Sequence, residues 1–147
     1  MKFSVCIDCL YSGKDFIESM KEVKAIGYNA YEFWTWWDKD IDEIDKARKD
    51  LGLETAALCT KFISLTDPTK RDEYISGLKE TIPVAKKLGC RVIISQAGDE
   101  LPGISRNEQH KSIVDGLKQA THLLEDEDVI LVLEPLNTTV DHIGYYL

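Results

Sequence analysis

Val129-Ile-Leu-Val-Leu-Glu-Pro-Leu-Asn137 is an unbroken apolar run that delivers one carboxylate and then stops, and Thr138-Thr-Val-Asp-His-Ile-Gly-Tyr-Tyr-Leu147 follows it. Five consecutive apolar residues, 129–133, read as a strand buried on both faces, the pattern of a parallel sheet or barrel. Glu134 at the end of such a strand is costly to desolvate, so it must meet a cation, a donor network or an opening to solvent. Two readings stay open on the strand alone: a carboxylate placed for chemistry, or a strand-end glutamate held by backbone donors or a lysine.

Working outward, β-rich segments alternate with amphipathic ones from end to end. Strands are expected over 3–8, 30–34, 54–60, 91–96 and 129–134. Between them, Phe16, Ile17, Met20 and Val23 share one helical face, and Ile41, Ile44, Ala47 and Leu51 share a second. Tyr74, Leu78, Ile82 and Ala85 form a third face, and Ile113, Leu117, Ala120 and Leu124 a fourth. Gly27, Gly52 and Gly89 each stand after a helical stretch, where a left-handed cap is wanted. Asp40, Asp67-Pro68 and Ser105 read as helix starts, and Ser105-Arg-Asn-Glu108 has capping-box spacing. Pro83 is expected to kink the third helix or divide it.

This β-α-β-α-β-α-β-α-β order implies a parallel α/β sheet with right-handed crossovers. No Gly/Ser-rich tract divides the chain, so residues 1–147 are expected to form a single domain. Five strands fit either a complete open, doubly wound sheet or the first part of an eight-stranded barrel. An open domain normally finishes with a helix over its last strand, yet only thirteen residues follow Glu134. The expectation is therefore the N-terminal half of a (β/α)8 barrel, with about five strands and four helices.

With 147 residues, 44% of them hydrophobic, the chain can bury a substantial core. Its formal charge of −8, with no basic run, argues against a nucleic-acid partner. No signal peptide or run of membrane-spanning length is visible, so neither export nor a membrane partner is expected. The four cysteines fall in strand-like segments, which suits reduced thiols and a cytoplasmic location. Cys6-Ile-Asp-Cys9 has C-x-x-C spacing; because it spans a strand end, it is read as a buried, inert pair and not as a redox or zinc site.

Several segments resemble the xylose-isomerase-like TIM-barrel superfamily: Ala25-Ile-Gly-Tyr-Asn-Ala-Tyr-Glu-Phe-Trp34, Ala85-Lys-Lys-Leu-Gly-Cys-Arg-Val92, and above all Leu133-Glu-Pro-Leu-Asn137 with Asp141-His-Ile-Gly-Tyr-Tyr-Leu147. Within it, the chain looks most like hydroxypyruvate isomerases and related sugar or sugar-phosphate isomerases and epimerases, over about the first half of their length. The resemblance implies a divalent metal, Mn, Mg or Co, held at the barrel mouth by acidic residues with a His or Gln. Glu134 matches the first of those ligands. It also matches one of two glutamates that move a proton through an enediolate on a small hydroxy-carbonyl compound or sugar. The family's strands six to eight, with the other ligands and second glutamate, are absent. This chain alone is therefore expected to be inactive and to hold no metal tightly.

Further candidates follow from position. Alternation places Glu32 and Trp34 on one strand face, so Trp34 walls a substrate pocket or packs in the core. Trp36 and Trp37 serve as a cover or a subunit contact. Gln96 ends the fourth strand, where it bonds a substrate hydroxyl or ties down the 98–103 loop. His142 matches the family's histidine after the glutamate and is read as a substrate contact, while Asn137 joins the substrate-binding set or shapes the loop. His110 and His122 fall on the outer helix, and the run Glu125-Asp-Glu-Asp128 reads as a solvated helix end.

Three competing functions are weighed against the isomerase. A DNA-repair endonuclease on the same barrel needs a His-rich three-zinc site and a basic face; three histidines and an acidic balance fit poorly. A receiver-like signalling fold needs an acidic cluster after the first strand, an Asp ending the third and Lys-Pro after the fifth. This sequence has Asp8 alone, Cys59-Thr60 and Glu134-Pro135. A half-barrel that pairs with its own copy through exposed edges, structural or binding in role, remains the alternative and implies a homo-oligomer.

Overall fold

The computed structural model describes residues 1–125 and 127–147, so Asp126 of the acidic run lies outside the described residues. Five parallel strands, β1 Val5–Cys6, β2 Ala30–Phe33, β3 Glu54–Cys59, β4 Val92–Gln96 and β5 Ile130–Glu134, pair in sequential order. Between them lie α1 Ile7–Leu10, α2 Phe16–Ala25, α3 Ile41–Leu51, α4 Arg71–Lys87 and α5 Arg106–Leu124. A doubly wound sheet reverses its strand order at a switch point; here every strand adds beside the last. Right-handed crossovers taken always in one direction put the helices on one face, the arrangement of a half TIM barrel.

Local chemistry explains the elements. Asp15 and Asp40 cap α2 and α3 by accepting from the Glu18 and Glu43 amides at 2.9 and 3.0 Å. Ser105 and Glu108 form the reciprocal capping box of α5. Gly52 ends α3 at φ +62°, a left-handed cap. All four expected apolar faces turn inward, with Met20, Val23, Ile44, Tyr74, Leu78, Ala85 and Ala120 buried. On the sheet, Tyr31, Phe33, Leu58, Ile93 and Ser95 are buried as well, and the Tyr74 hydroxyl meets the Ser95 hydroxyl at 2.9 Å. The core therefore sits between sheet and helices, and alternate strand residues are left for the concave face.

Four expectations are corrected. The fifth strand is not buried on both faces: Ile130 and Val132 are 54% and 39% exposed on the concave side, because β5 has a neighbour only in β4. Pro83 does not divide the third long helix, since α4 runs through it. Its missing N–H leaves the Lys79 carbonyl without a helical donor, and both residues are exposed, so the carbonyl is open to solvent. The first strand is two residues long, and α1, a fifth helix beyond the four expected, begins directly after it. Asp8 is thereby turned to accept from the Trp34 and Thr35 amides at 2.7 and 3.1 Å.

The Cys6-x-x-Cys9 pair is the fourth. It spans the end of β1, as expected, and leads into α1, but it is not a buried pair: Cys9 is exposed and Cys6 half-buried, and both are free thiols. Burial pushes the Cys6 thiol up to about 11, the opposite of a helix-start redox cysteine. Burial also lifts Cys59 to about 12 and raises Cys90. Alkylation of the folded chain near pH 8 is expected to label Cys9 alone rapidly, as counted by mass spectrometry. Fast labelling of Cys6 would contradict this assignment.

Candidate active site

The carboxyl ends of β4 and β5 set Gln96 directly opposite Glu134 in register. Around them opens a cavity of about 450 Å³ whose wall includes Trp34, Ser64, Gln96, Glu134, His142 and Tyr145. Four of the five sequence candidates thus converge. Glu134 is half-buried and faces this opening, and among the described residues no lysine or arginine pairs with it. Of the outcomes the strand demanded, an opening to solvent is the one realised.

Trp34 stands just past β2 and is 42% exposed on the cavity wall, so it is not a core tryptophan. Its place is fixed by Asp8, which also pairs with Lys39 at 3.2 Å in a largely buried contact. The Lys39 ammonium in turn donates to the Thr35 carbonyl at 2.7 Å, closing a brace around the loop after β2. Trp37 and Phe62 pack edge to face at 5.2 Å beside it.

The Gln96 amide donates to Cys59 Sγ at 3.3 Å and does not tie down the 98–103 loop. That task falls to Gln109, whose side chain accepts from the Leu101 amide at 2.9 Å and donates to the Ile104 carbonyl at 2.9 Å. Cys59 is driven up first by burial, with the Gln96 hydrogen bond opposing and the Glu134 charge adding to the rise. His142 is exposed and lies edge-on to Tyr145, with ring centroids 6.1 Å apart. Asn137 is not on the cavity wall; its Oδ1 accepts from the Thr139 and Val140 amides at 3.0 and 3.2 Å, and its carbonyl accepts from the His142 amide at 2.9 Å. It shapes the loop that carries His142. His110 and His122 are both exposed on α5.

Sequence reasoning missed Phe62 and Ser64 of the loop after β3, and Gly98, Asp99 and Tyr145 on the same wall. Nothing local marks the first two. Tyr145 lies within the quoted Gly-Tyr-Tyr segment, and that was its only signal.

A metal needs several oxygen or nitrogen donors at once. Glu134 supplies one carboxylate, and among the described residues no three His, Cys, Asp or Glu side chains are grouped to hold an ion. The side chains present do not by themselves make a divalent-metal site.

Sequential parallel strands, with Gln96 and Glu134 at the carboxyl ends of β4 and β5, are the arrangement of half a TIM barrel. Residues 20–147 match the family model described as xylose isomerase-like TIM barrel, and the chain belongs to that family. It is 26% identical over 146 residues to the hydroxypyruvate isomerase of Escherichia coli (strain K12), covering 93% of this chain and 56% of that protein. The chain thus spans about half the length of the curated relatives it matches. Among solved structures, an AP endonuclease of family 2 from Brucella melitensis superposes with a TM-score of 0.91 at 19% identity, over 99% of this chain and 59% of that one. The IolI protein, solved with a binding zinc atom, superposes at 0.78 with 19% identity, over 90% and 51%. At such identities these two likenesses are likenesses of fold. No helix among the described residues is long and apolar enough to cross a membrane.

Proposed function

We propose that this chain is the Glu134-bearing portion of a metal-dependent isomerase or epimerase that shifts a proton between adjacent carbons of a small hydroxy-carbonyl compound or sugar. The observation that carries the reading is the convergence of Glu134, Gln96, His142 and Trp34 on one cavity at the strand ends. In this reading the Glu134 carboxylate removes the proton from the carbon beside the carbonyl. The electron pair passes into an enediolate; in an isomerase the proton returns to the neighbouring carbon as the hydroxyl proton passes from the oxygen that becomes the carbonyl to the oxygen that becomes the hydroxyl, and in an epimerase the same carbon is reprotonated on its opposite face by a second acid. Gln96 and His142 bind substrate oxygens, Trp34 walls the pocket, and Asn137 holds the loop that presents His142.

A divalent metal, Mn, Mg or Co, belongs to the completed barrel, where Glu134 contributes one hard oxygen ligand. Among the described residues too few donors are grouped to hold it tightly, so in this reading the isolated chain is catalytically inactive. Free thiols at all four cysteines support a cytoplasmic site of action. The open β1 and β5 edges with exposed Ile130 and Val132 support a second reading, pairing with another copy.

The test is deuterium uptake into hydroxypyruvate in D2O. The isolated chain is expected to give none above background with Mn²⁺ present. Joined to the region of the Escherichia coli relative that it does not match, and shown to be folded, it is expected to give uptake that is lost on chelation. Metal-independent exchange by the isolated chain would overturn the reading.

A further inference from the structure

Two polar atoms of residues on the cavity wall are shut from solvent and make no hydrogen bond among the described residues: the Tyr145 hydroxyl and Gln96 Oε1. Leaving such an atom unbonded costs about 1–3 kcal/mol, and the cost falls when a ligand completes the bond. The other two atoms of this kind, Trp36 Nε1 and Thr60 Oγ1, belong to residues off this wall.

Tyr145 is held on both sides. Its backbone bridges Asp99 in antiparallel fashion, the Glu100 amide donates to the Gly144 carbonyl at 2.8 Å, and the Tyr146 amide donates to the Gly98 carbonyl at 3.0 Å. Arg106 donates to the Tyr146 carbonyl at 2.8 Å and lies 4.3 Å from the centroid of its ring. The Leu136 amide meets the Leu147 carbonyl at 2.9 Å, closing the 136–147 loop on itself. The hydroxyl, whose proton has no acceptor among the described residues, is therefore a fixed group and not a loose one. Burial holds its proton on, against the pull of the Gly98 and Ala97 amides, so it has a proton to donate.

We propose that Tyr145 is a substrate-binding residue of this site, its hydroxyl donating to the carbonyl oxygen of an α-hydroxy-carbonyl ligand while Gln96 Oε1 accepts from the ligand's adjacent hydroxyl. The class of ligand rests on the function proposed above; the free donor does not. A neutral donor already in place at the carbonyl strengthens its bond as charge moves onto that oxygen during proton removal, with no reorganisation at that moment.

The test uses the chain itself with tyrosine labelled at ¹³Cζ and dihydroxyacetone, a neutral α-hydroxy ketone, as probe. The Tyr145 resonance, assigned from Tyr145→Phe, is expected to move saturably, and glycerol, which lacks the carbonyl, is expected to leave it in place. Tyr145→Phe is expected to weaken binding about tenfold, read from the Gln96 amide and His142 resonances. It should melt close to the parent, because among the described residues the hydroxyl proton has no acceptor and only the neighbouring Gly98 and Ala97 amides lose a contact. A markedly lower melting temperature would give the hydroxyl a structural role and overturn the inference. Saturable shifts of Gln96 and His142 with Tyr145 unmoved would overturn it while leaving the proposed function standing. Absence of any saturable shift would remove the ligand class and the inference together.

Discussion

Glu134→Gln, in the barrel completed by its remaining strands, is expected to lower kcat by a hundredfold or more, the usual contribution of a positioned general base. Glutamine keeps the shape and loses the ability to take a proton. The fold should not notice: Glu134 is half-buried, opens onto the cavity and has no ion-pair partner among the described residues, so stability should stay within about 0.5 kcal/mol. Measuring kcat, KM and unfolding on one preparation separates the two effects. A variant within a few fold of the parent's kcat would remove Glu134 from the chemistry.

Gly98→Ala is expected to destabilise the chain by about 3 kcal/mol, from left-handed strain and overpacking together. Gly98 stands at φ +102°, and a Cβ there lies 2.2 Å from Ser64 Oγ and 3.0 Å from Ser64 Cα. Ser64 cannot easily retreat, because its hydroxyl is paired with Thr66 Oγ1 at 2.7 Å and Thr66 Oγ1 donates to the Asp99 carbonyl at 2.8 Å. The same glycine accepts from the Tyr146 amide, so the substitution also shifts the loop that bears Tyr145. Urea unfolding should show a lower midpoint with an unchanged slope. A loss below about 1 kcal/mol would mean that Ser64 yields and that the contact is soft.

The elements were legible wherever their causes are local. Alternation from Ala30 to Phe33, the stripe Tyr74, Leu78, Ile82 and Ala85, and the box Ser105 to Glu108 each act within a few residues, and each stands where its pattern put it. Pro83 does not divide α4 because its effect depends on which side of the helix faces water, a tertiary fact. The 129–133 run misled for a related reason: apolar composition records what a strand is suited to bury, and Ile130 and Val132 lie on the concave face of an edge strand.

The site divides in the same way. Glu134 and Gln96 are strand ends, so the βα pattern alone brings them to one rim. Asp8, Ser64, Gly98 and Tyr145 enter through contacts 26 to 48 residues apart in sequence, such as Asp8 with Trp34, Tyr145 with Asp99 and Gly98 with Tyr146. The Asp8 carboxylate reads as a spare acid until the two-residue β1 and the turn of α1 carry it to the Trp34 amide. Cys6 and Cys9 show the opposite risk, a motif whose spacing is met while burial holds the Cys6 thiol protonated.

The most direct test of the central claim is the intact mass of the protein in its native cells, taken together with the coding sequence beyond Leu147. A Glu134-bearing half of an isomerase barrel requires a product of about 250 residues, whose added strands end in Asp, His or Gln and a second Glu. A native product ending at Leu147 would contradict it and would make a self-pairing half-barrel without turnover the better description.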